Sequence, residues 1–270
     1  MATQNGRAHG VTPGLSRDYM TRTAERQAAF VLPYLHPGMN LLDIGCGPGS
    51  ITLGLAEAVA PGHVTGIDHD RENIQAAKAL ATERGVTNVT FQLGDALSLS
   101  FEDNIFEAAF ENNVFTHLAQ DATRAAREAY RALKPQGLFA ARDVDAEAVV
   151  WGNLSESIKQ LDKLFIAWHK SRGSDIIIGK RLSSILRGAG FRDTIKSVSA
   201  DTKGTLEETR SHADITISLL DGPFGRDIVD KGWGNESTVE QLKESIQAWG
   251  EHPDAFFANV HVEVIGWKPG

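Results

Sequence analysis

Leu41-Leu42-Asp43-Ile44-Gly45-Cys46-Gly47-Pro48-Gly49-Ser50-Ile51-Thr52 is the stretch whose reading decides the fold. An apolar run stops at alternating glycines, after which Ile51, Leu55 and Val59 recur at i, i+4 and i+8. The run fits a buried strand and the new period fits a helix, so strand, loop and helix follow one another here. Glycines at such a junction let the backbone approach a ligand closely, and the start of the helix points unpaired amides at it. In the dinucleotide fingerprint a third glycine stands three positions after the second, where this chain has Ser50. That departure disfavours a pyrophosphate-bearing ligand and the nicotinamide oxidoreductases that use one.

The same alternation continues outward. Val64 to Asp68 is a second strand, and Asp70 is placed to cap a helix carrying Ile74, Ala77 and Ala81 that ends at Gly85. Val89 to Leu93, Ile105 to Phe110 and Gly137 to Val144 are further strands, with a helix over Ala122 to Leu133. Before the loop, Tyr19 to Leu35 has apolar residues at helical spacing until Pro37-Gly38 stops it. Beyond Asp145, helices are expected over Leu154 to Arg172, Gly179 to Gly188, Leu206 to Leu220 and Val239 to Trp249, and a strand over Phe191 to Val198. The last element, Phe256 to Trp267, alternates Val260, Val262 and Val264 with His261 and Glu263, which predicts an amphipathic strand at or near the sheet edge. Apolar strands separated by helices mean a sheet covered on both faces. The expected fold is α/β, Rossmann-like and doubly wound: a mostly parallel seven-stranded sheet with an antiparallel C-terminal strand and a helical, substrate-covering insertion.

With 270 residues the chain suits one α/β domain over residues 19–270, with 146–250 contributing the helical additions and 1–18 a disordered tail. The net charge of -8 argues against a surface built to neutralise nucleic-acid phosphates or anionic lipid heads. Cys46 is the single cysteine, so no internal disulfide forms. No apolar stretch is long enough to cross a bilayer, and a cytoplasmic protein without membrane insertion is expected. A homodimer stays open.

Two acids stand where a nucleoside would need them. Asp68 closes the second strand about twenty residues past the loop, where a carboxylate can accept both ribose hydroxyls; its alternative, an acid at a helix start, is already filled by Asp70. Asp95, in Leu93-Gly94-Asp95-Ala96, can accept from an exocyclic amine such as that of adenine, or simply make a turn.

Leu41 to Thr52 resembles motif I of the class I methyltransferases. Gly66-Ile67-Asp68, Leu93-Gly94-Asp95-Ala96 and Tyr130-Arg131-Ala132-Leu133-Lys134-Pro135-Gln136-Gly137 are similar to the succeeding motifs in order and spacing. The nearest likeness is to the ubiquinone and menaquinone methyltransferase-like group, over Arg22 to Asp145. Gln136 stands where that group has a glycine, a change confined to the turn before the fifth strand. The resemblance implies S-adenosylmethionine as cofactor and S-adenosylhomocysteine as product. It implies that Gly45 and Gly47 pass the methionine part, Asp68 holds the ribose, Asp95 and Ala96 address the adenine, and Asp43 orders the loop from behind. Cys46, as a small packable residue, His69 and Asn112 complete the expected cofactor shell, with Tyr19 from a lid segment.

Methyl transfer from a sulfonium is an in-line displacement whose rate comes largely from alignment, so a base is optional. Ligands of open parallel sheets bind beyond the carboxyl ends of the strands, which selects Glu111, Asn112, Asn113, His117, Arg142, Asp143 and Asp145. His117 is the candidate catalytic base for a hydroxyl or amine acceptor, or else a structural hydrogen-bonding group. Asn113, Arg142, Asp143, Trp151 and His169 are candidate contacts to a small-molecule methyl acceptor, the two aromatic residues having ordinary core as their alternative. Asp143-Val144-Asp145 resembles a magnesium pair, but the fourth strand ends in Glu111-Asn112-Asn113 without a matching aspartate, so no metal is expected.

Overall fold

The computed structural model describes residues 21–270; Tyr19 and the expected tail at 1–18 lie outside them. The first described helix, α1, is Ala24–Gln27, followed by a 3-10 turn at Leu32–Tyr34. A continuous helix to Leu35 was expected, and Pro33 explains the break: it has no amide to bond one turn back, and its ring crowds the preceding turn. Ala24, Ala28, Val31 and Leu35 still share one buried face.

The sheet is built from β1 (Asn40–Ile44), β2 (His63–Asp68), β3 (Val89–Leu93), β4 (Phe106–Asn112), β5 (Leu133–Val144), the short β6 (Val150–Gly152), β7 (Arg192–Lys203) and β8 (Phe256–Trp267). Its order is β3-β2-β1-β4-β5-β8, with β7 on the other side of β8 and β6 pairing with the start of β8. Strands β1 to β5 are parallel, and β8 runs antiparallel to its partners. The expectation that β8 lies at or near the sheet edge holds in its second form: twelve residues long, it is flanked by β5 and β6 on one side and by β7 on the other, one strand in from the edge. The edge itself falls to β7, whose side chains are largely exposed, Val198 among them at 69%. The unexpected eighth strand, β6, is too short to leave a periodic signal.

The helices between the strands are α2 (Ser50–Val59), α3 (Arg71–Arg84), α4 (Phe115–Leu118), α5 (Ala122–Ala132) and α7 (Leu182–Ala189). Asp70 caps α3 by accepting from the Glu72 amide at 2.8 Å, and Gly85 ends the helix in the left-handed conformation. One sheet face, carrying Leu42, Ile44, Ala109, Phe139 and Ala141, packs on the alanines of α5 and on Leu182, Ile185 and Leu186 of α7. The other, carrying Leu41, Val64, Ala108, Phe110 and Ala140, packs on α1 and α2.

Four helices, α6 (Glu156–Ser171), α8 (Leu206–Asp221), α9 (Pro223–Asp230) and α10 (Glu236–Gly250), share their own core of Ile158, Leu161, Trp168, Phe224, Leu242, Ile246 and Trp249. Ser155, Thr205 and Asn235 cap α6, α8 and α10 through side-chain oxygens, which supplies the orphan amides at each start. Helix α9, unmarked by any long apolar period, begins at Gly222-Pro223, where the proline ring presets the helical dihedral.

Phe139 is wholly buried and meets Phe115 and Phe191 with ring centroids 6.0 and 5.5 Å away. Phe139→Ala is expected to lower unfolding free energy by about 3–5 kcal/mol in urea titration.

Candidate functional site

The parallel strands end on one side, at Ile44, Asp68 and Asn112, with Ile44 in register with Ile67 and Glu111. The chain turns sharply after Ile44. Gly45, Gly47 and Gly49 take φ of +72°, +53° and +85°, a region that L side chains enter at a cost and glycine does not. The Gly45 and Cys46 amides donate to the Ile67 carbonyl at 2.8 and 2.9 Å, and the Gly47 amide donates to Asp68 Oδ2 at 2.9 Å. Asp68 Oδ1 accepts from the Asp70 amide at 2.9 Å. One carboxylate therefore straps the glycine loop to the start of the next helix, and each of its oxygens keeps a second lone pair.

Space around the loop is uneven. A methyl group added at Gly45 would stand 2.3 Å from Val114 Cγ2, and one at Gly49 would stand 2.9 Å from Ala77 Cβ and Phe91 Cζ. At Gly47 it would meet nothing within 4 Å. The loop is thus walled by Val114 at Gly45 and by Ala77 and Phe91 at Gly49, and is open at Gly47, whose amide makes the bond to Asp68. Behind it, buried Asp43 accepts from the Thr52 hydroxyl of α2 at 2.6 Å, and burial pushes its carboxyl up to about 7. Burial, with Asp43 and Asp68 nearby, pushes the Cys46 thiol far up, so Cys46 is held as a neutral packing group rather than a nucleophile.

The other residues singled out by sequence fall into three settings. His69 is exposed with its ring 3.5 Å from Asp68, while exposed Asp95 accepts from the Leu97 amide at 2.9 Å and Ala96 lies half-buried against the core. His117 is exposed on α4. Trp151 packs on Trp249 at 4.9 Å and Phe257 at 4.6 Å, and His169 packs on Phe165 at 4.6 Å and Trp168 at 5.0 Å. Both rings are taken up by the aromatic packing of the helical group.

Asn112, Asn113 and Arg142 belong to a buried polar cluster that sequence reasoning missed. Arg142, 1% exposed, donates from Nη1 to Asn112 Oδ1 at 2.9 Å and from Nε to Ser199 Oγ at 3.1 Å, and pairs with Asp201 at 3.3 Å and Glu263 at 3.6 Å. Asn113 Oδ1 accepts from the Val144 amide at 3.1 Å, and its Nδ2 lies 3.3 Å from His261 Nε2. His261 Nδ1 faces the Asn259 carbonyl at 3.1 Å, so Nδ1 is assigned the proton and Nε2 accepts from Asn113. Burial and then Arg142 hold its pKa down to about 3, which keeps the ring neutral. The expected solvent face of β8, His261 and Glu263, is thus a correction: that face is buried because β7 and β5 flank it and Arg142 compensates Glu263. Arg142 and Asp143, expected as acceptor contacts, are both wholly buried and engaged by protein groups. Asp143 accepts from the Thr116 amide at 2.9 Å, whereas Asp145 pairs with Lys180 at 3.3 Å. The two acids of Asp143-Val144-Asp145 serve different partners, and among the described residues no three His, Cys, Asp or Glu side chains converge as metal ligands.

A mostly parallel open sheet with a glycine loop strapped to an acid on the neighbouring strand is an arrangement found in α/β proteins that bind nucleotides beyond the carboxyl ends of their strands. Residues 35–190 match the family model described as a methyltransferase domain, and the chain belongs to that family. A probable methyltransferase of Aspergillus luteorubrus, ltbC, is 29% identical over 270 residues, covering 92% of each chain. Among solved structures, the YcgJ protein of Bacillus subtilis is similar at a TM-score of 0.60 and 20% identity, covering 90% of this chain and 98% of that one. A phosphoethanolamine N-methyltransferase 2 of Haemonchus contortus, bound to phosphomonomethylethanolamine and S-adenosylhomocysteine, is similar at 0.54 and 20% identity, covering 90% and 52%. These two likenesses are of fold.

Thr52→Val deletes the hydroxyl that Asp43 accepts from at 2.6 Å. An expected loss of about 1–3 kcal/mol in urea titration follows from leaving a buried acceptor unpaired.

Proposed function

We propose that the chain is an S-adenosylmethionine-dependent methyltransferase of small molecules, acting on an O, N, S or activated carbon acceptor. The observation that carries this reading is the 2.9 Å bond from the Gly47 amide to Asp68, with open space above Gly47. In this reading Gly45 and Gly47 pass the methionine part, Asp68 uses its remaining lone pairs for the ribose hydroxyls, and Asp95 and Ala96 meet the adenine beside exposed Leu93. His69 and Asn112 flank that path, and Cys46 packs beneath it. Asp43 holds the loop from behind through Thr52 of α2.

The bound cofactor supplies an electrophilic methyl on a sulfonium. The chain's own contribution is to fix the nucleophile in line with it and to exclude water, which is where most of the rate arises when a displacement needs little proton transfer. His117 is the candidate proton acceptor for a hydroxyl or amine nucleophile, and Asn113 borders the same strand end. The helices α6 and α8 to α10, with Trp151 and His169, form the roof of the acceptor space in this reading. The negative net charge of -8 supports a small acceptor over a nucleic acid. So does the likeness of Arg22 to Asp145 to the ubiquinone and menaquinone methyltransferase-like group. No described helix is long and apolar enough to cross a membrane.

Titration calorimetry tests the assignment. Wild-type protein is expected to bind S-adenosylhomocysteine, and Asp68→Ala to weaken it more than about tenfold, since an unpaired ribose diol costs about 1.5–3 kcal/mol. Unchanged affinity in that variant would refute the ribose assignment. Transfer of label from methyl-labelled cofactor to a member of a metabolite panel then identifies the acceptor.

A further inference from the structure

Glu111 and Asp143 are the penultimate residues of β4 and β5, and both are 0% exposed. Glu111 is in register with Ala141; Asp143, two residues further on, points to the same face, so the two carboxyls are diagonal neighbours. Glu111 Oε2 accepts from the Val114 amide at 3.0 Å, and Asp143 Oδ1 accepts from the Thr116 amide at 2.9 Å. Glu111 Oε1 and Asp143 Oδ2 are both buried and neither accepts a hydrogen bond from a protein donor; the two carboxyls lie beside each other, with the Phe115 amide and the Thr116 hydroxyl as further neighbours. Two carboxyls can bond only when a proton lies between them.

The cations near this face are engaged elsewhere. Arg142 projects to the opposite face, to Asn112, Ser199, Asp201 and Glu263. From the 3-10 turn Ile178–Arg181 that packs on the end of β5, Lys180 pairs with Asp145 and Glu147, and Arg181 pairs with Asp175. Helices α5 and α7 present alanines, leucines and an isoleucine to this layer.

We infer that Glu111 and Asp143 share one proton and serve as positioning residues for the glycine loop, fixing the Val114 and Thr116 amides so that Val114 walls Gly45. The inference rests on the reading that this loop holds the cofactor. Burial first, and then the repulsion between the two acids, raises the pair's proton affinity above that of free carboxyls. The folded chain therefore binds this proton more tightly than the unfolded chain does. Stability from it is present at low pH and is lost as pH rises through the folded value.

The test compares wild-type protein, Glu111→Gln, Asp143→Asn and Glu111→Ala between about pH 6 and about pH 9.5, by S-adenosylhomocysteine affinity and by thermal melting, where linkage allows up to about tenfold per pH unit. Wild type is expected to lose affinity and melting temperature on the alkaline side. Glu111→Ala is expected to weaken binding about tenfold at neutral pH, and Glu111→Gln, whose amide donates where the proton stood, to restore most of it and to flatten the alkaline decline. Asp143→Asn is expected to flatten the decline too. An alkaline decline identical in Glu111→Gln and wild type, or none in wild type, overturns the inference. Absence of binding by wild type refutes the cofactor reading instead, and the melting profile still judges the proton. If neither amide variant folds, infrared spectroscopy of wild type at about pH 8 decides. A protonated-carboxyl band there supports the shared proton, and its absence overturns it.

Discussion

The Asp68 carboxylate accepting from the Gly47 amide is the contact on which the site depends. A loop with three left-handed glycines has little conformational preference of its own, and an ordered cradle requires that something outside it select one conformation. Asp68 does so because it ends β2, the strand paired with β1 in parallel register, and because its other oxygen takes the first amide leading into α3. Sheet pairing thus sets the distance between strand ends, and one side chain converts that distance into a loop shape. The Ile67 carbonyl, accepting from Gly45 and Cys46, adds two further bonds from the same strand.

Along the sheet the strands change character toward their carboxyl ends. Leu41, Leu42, Ala108, Ala109, Phe139 and Ala140 are apolar and wholly buried, whereas Asp43, Glu111, Asn112, Arg142 and Asp143 above them are polar and still mostly buried. Buried polar groups are costly unless bonded, and here they are bonded in sets separated by face. On the α1 and α2 face, Arg142 gathers Asn112, Ser199, Asp201 and Glu263, with neutral His261 tied to Asn113. On the α5 and α7 face, Glu111 and Asp143 hold the amides of the turn into α4. Both sets stiffen the strand ends from which the loop hangs, so the polar rim positions the loop while the apolar layer supplies stability.

The βα alternation was legible because period and punctuation agreed: Ile51, Leu55 and Val59 gave α2, Asp70 and Gly85 bounded α3, and Val89 to Leu93 matched β3 residue for residue. What escaped had a local signal that tertiary context overrode. Pro33 broke a helix whose buried face was otherwise read correctly. In β8, alternation of valine with histidine and glutamate described the faces but not their exposure, because the partner Arg142 that makes the polar face buriable lies far away in sequence. The loop glycines, Asp68 and Asp95 were visible as a motif. The Glu111 and Asp143 pairing was not, since it depends on the register of β4 with β5. Arg142 and Asp143 were selected correctly as residues at the strand ends, but their burial was invisible.

The central claim is that the glycine loop and Asp68 together form the nucleoside cradle. A crystal structure with S-adenosylhomocysteine bound tests it most directly. The account predicts both ribose hydroxyls within hydrogen-bond distance of the Asp68 carboxylate and the homocysteine part crossing the open side of Gly47. A nucleoside seated elsewhere, or a ribose out of reach of Asp68 with the Gly47 bond intact, would contradict it.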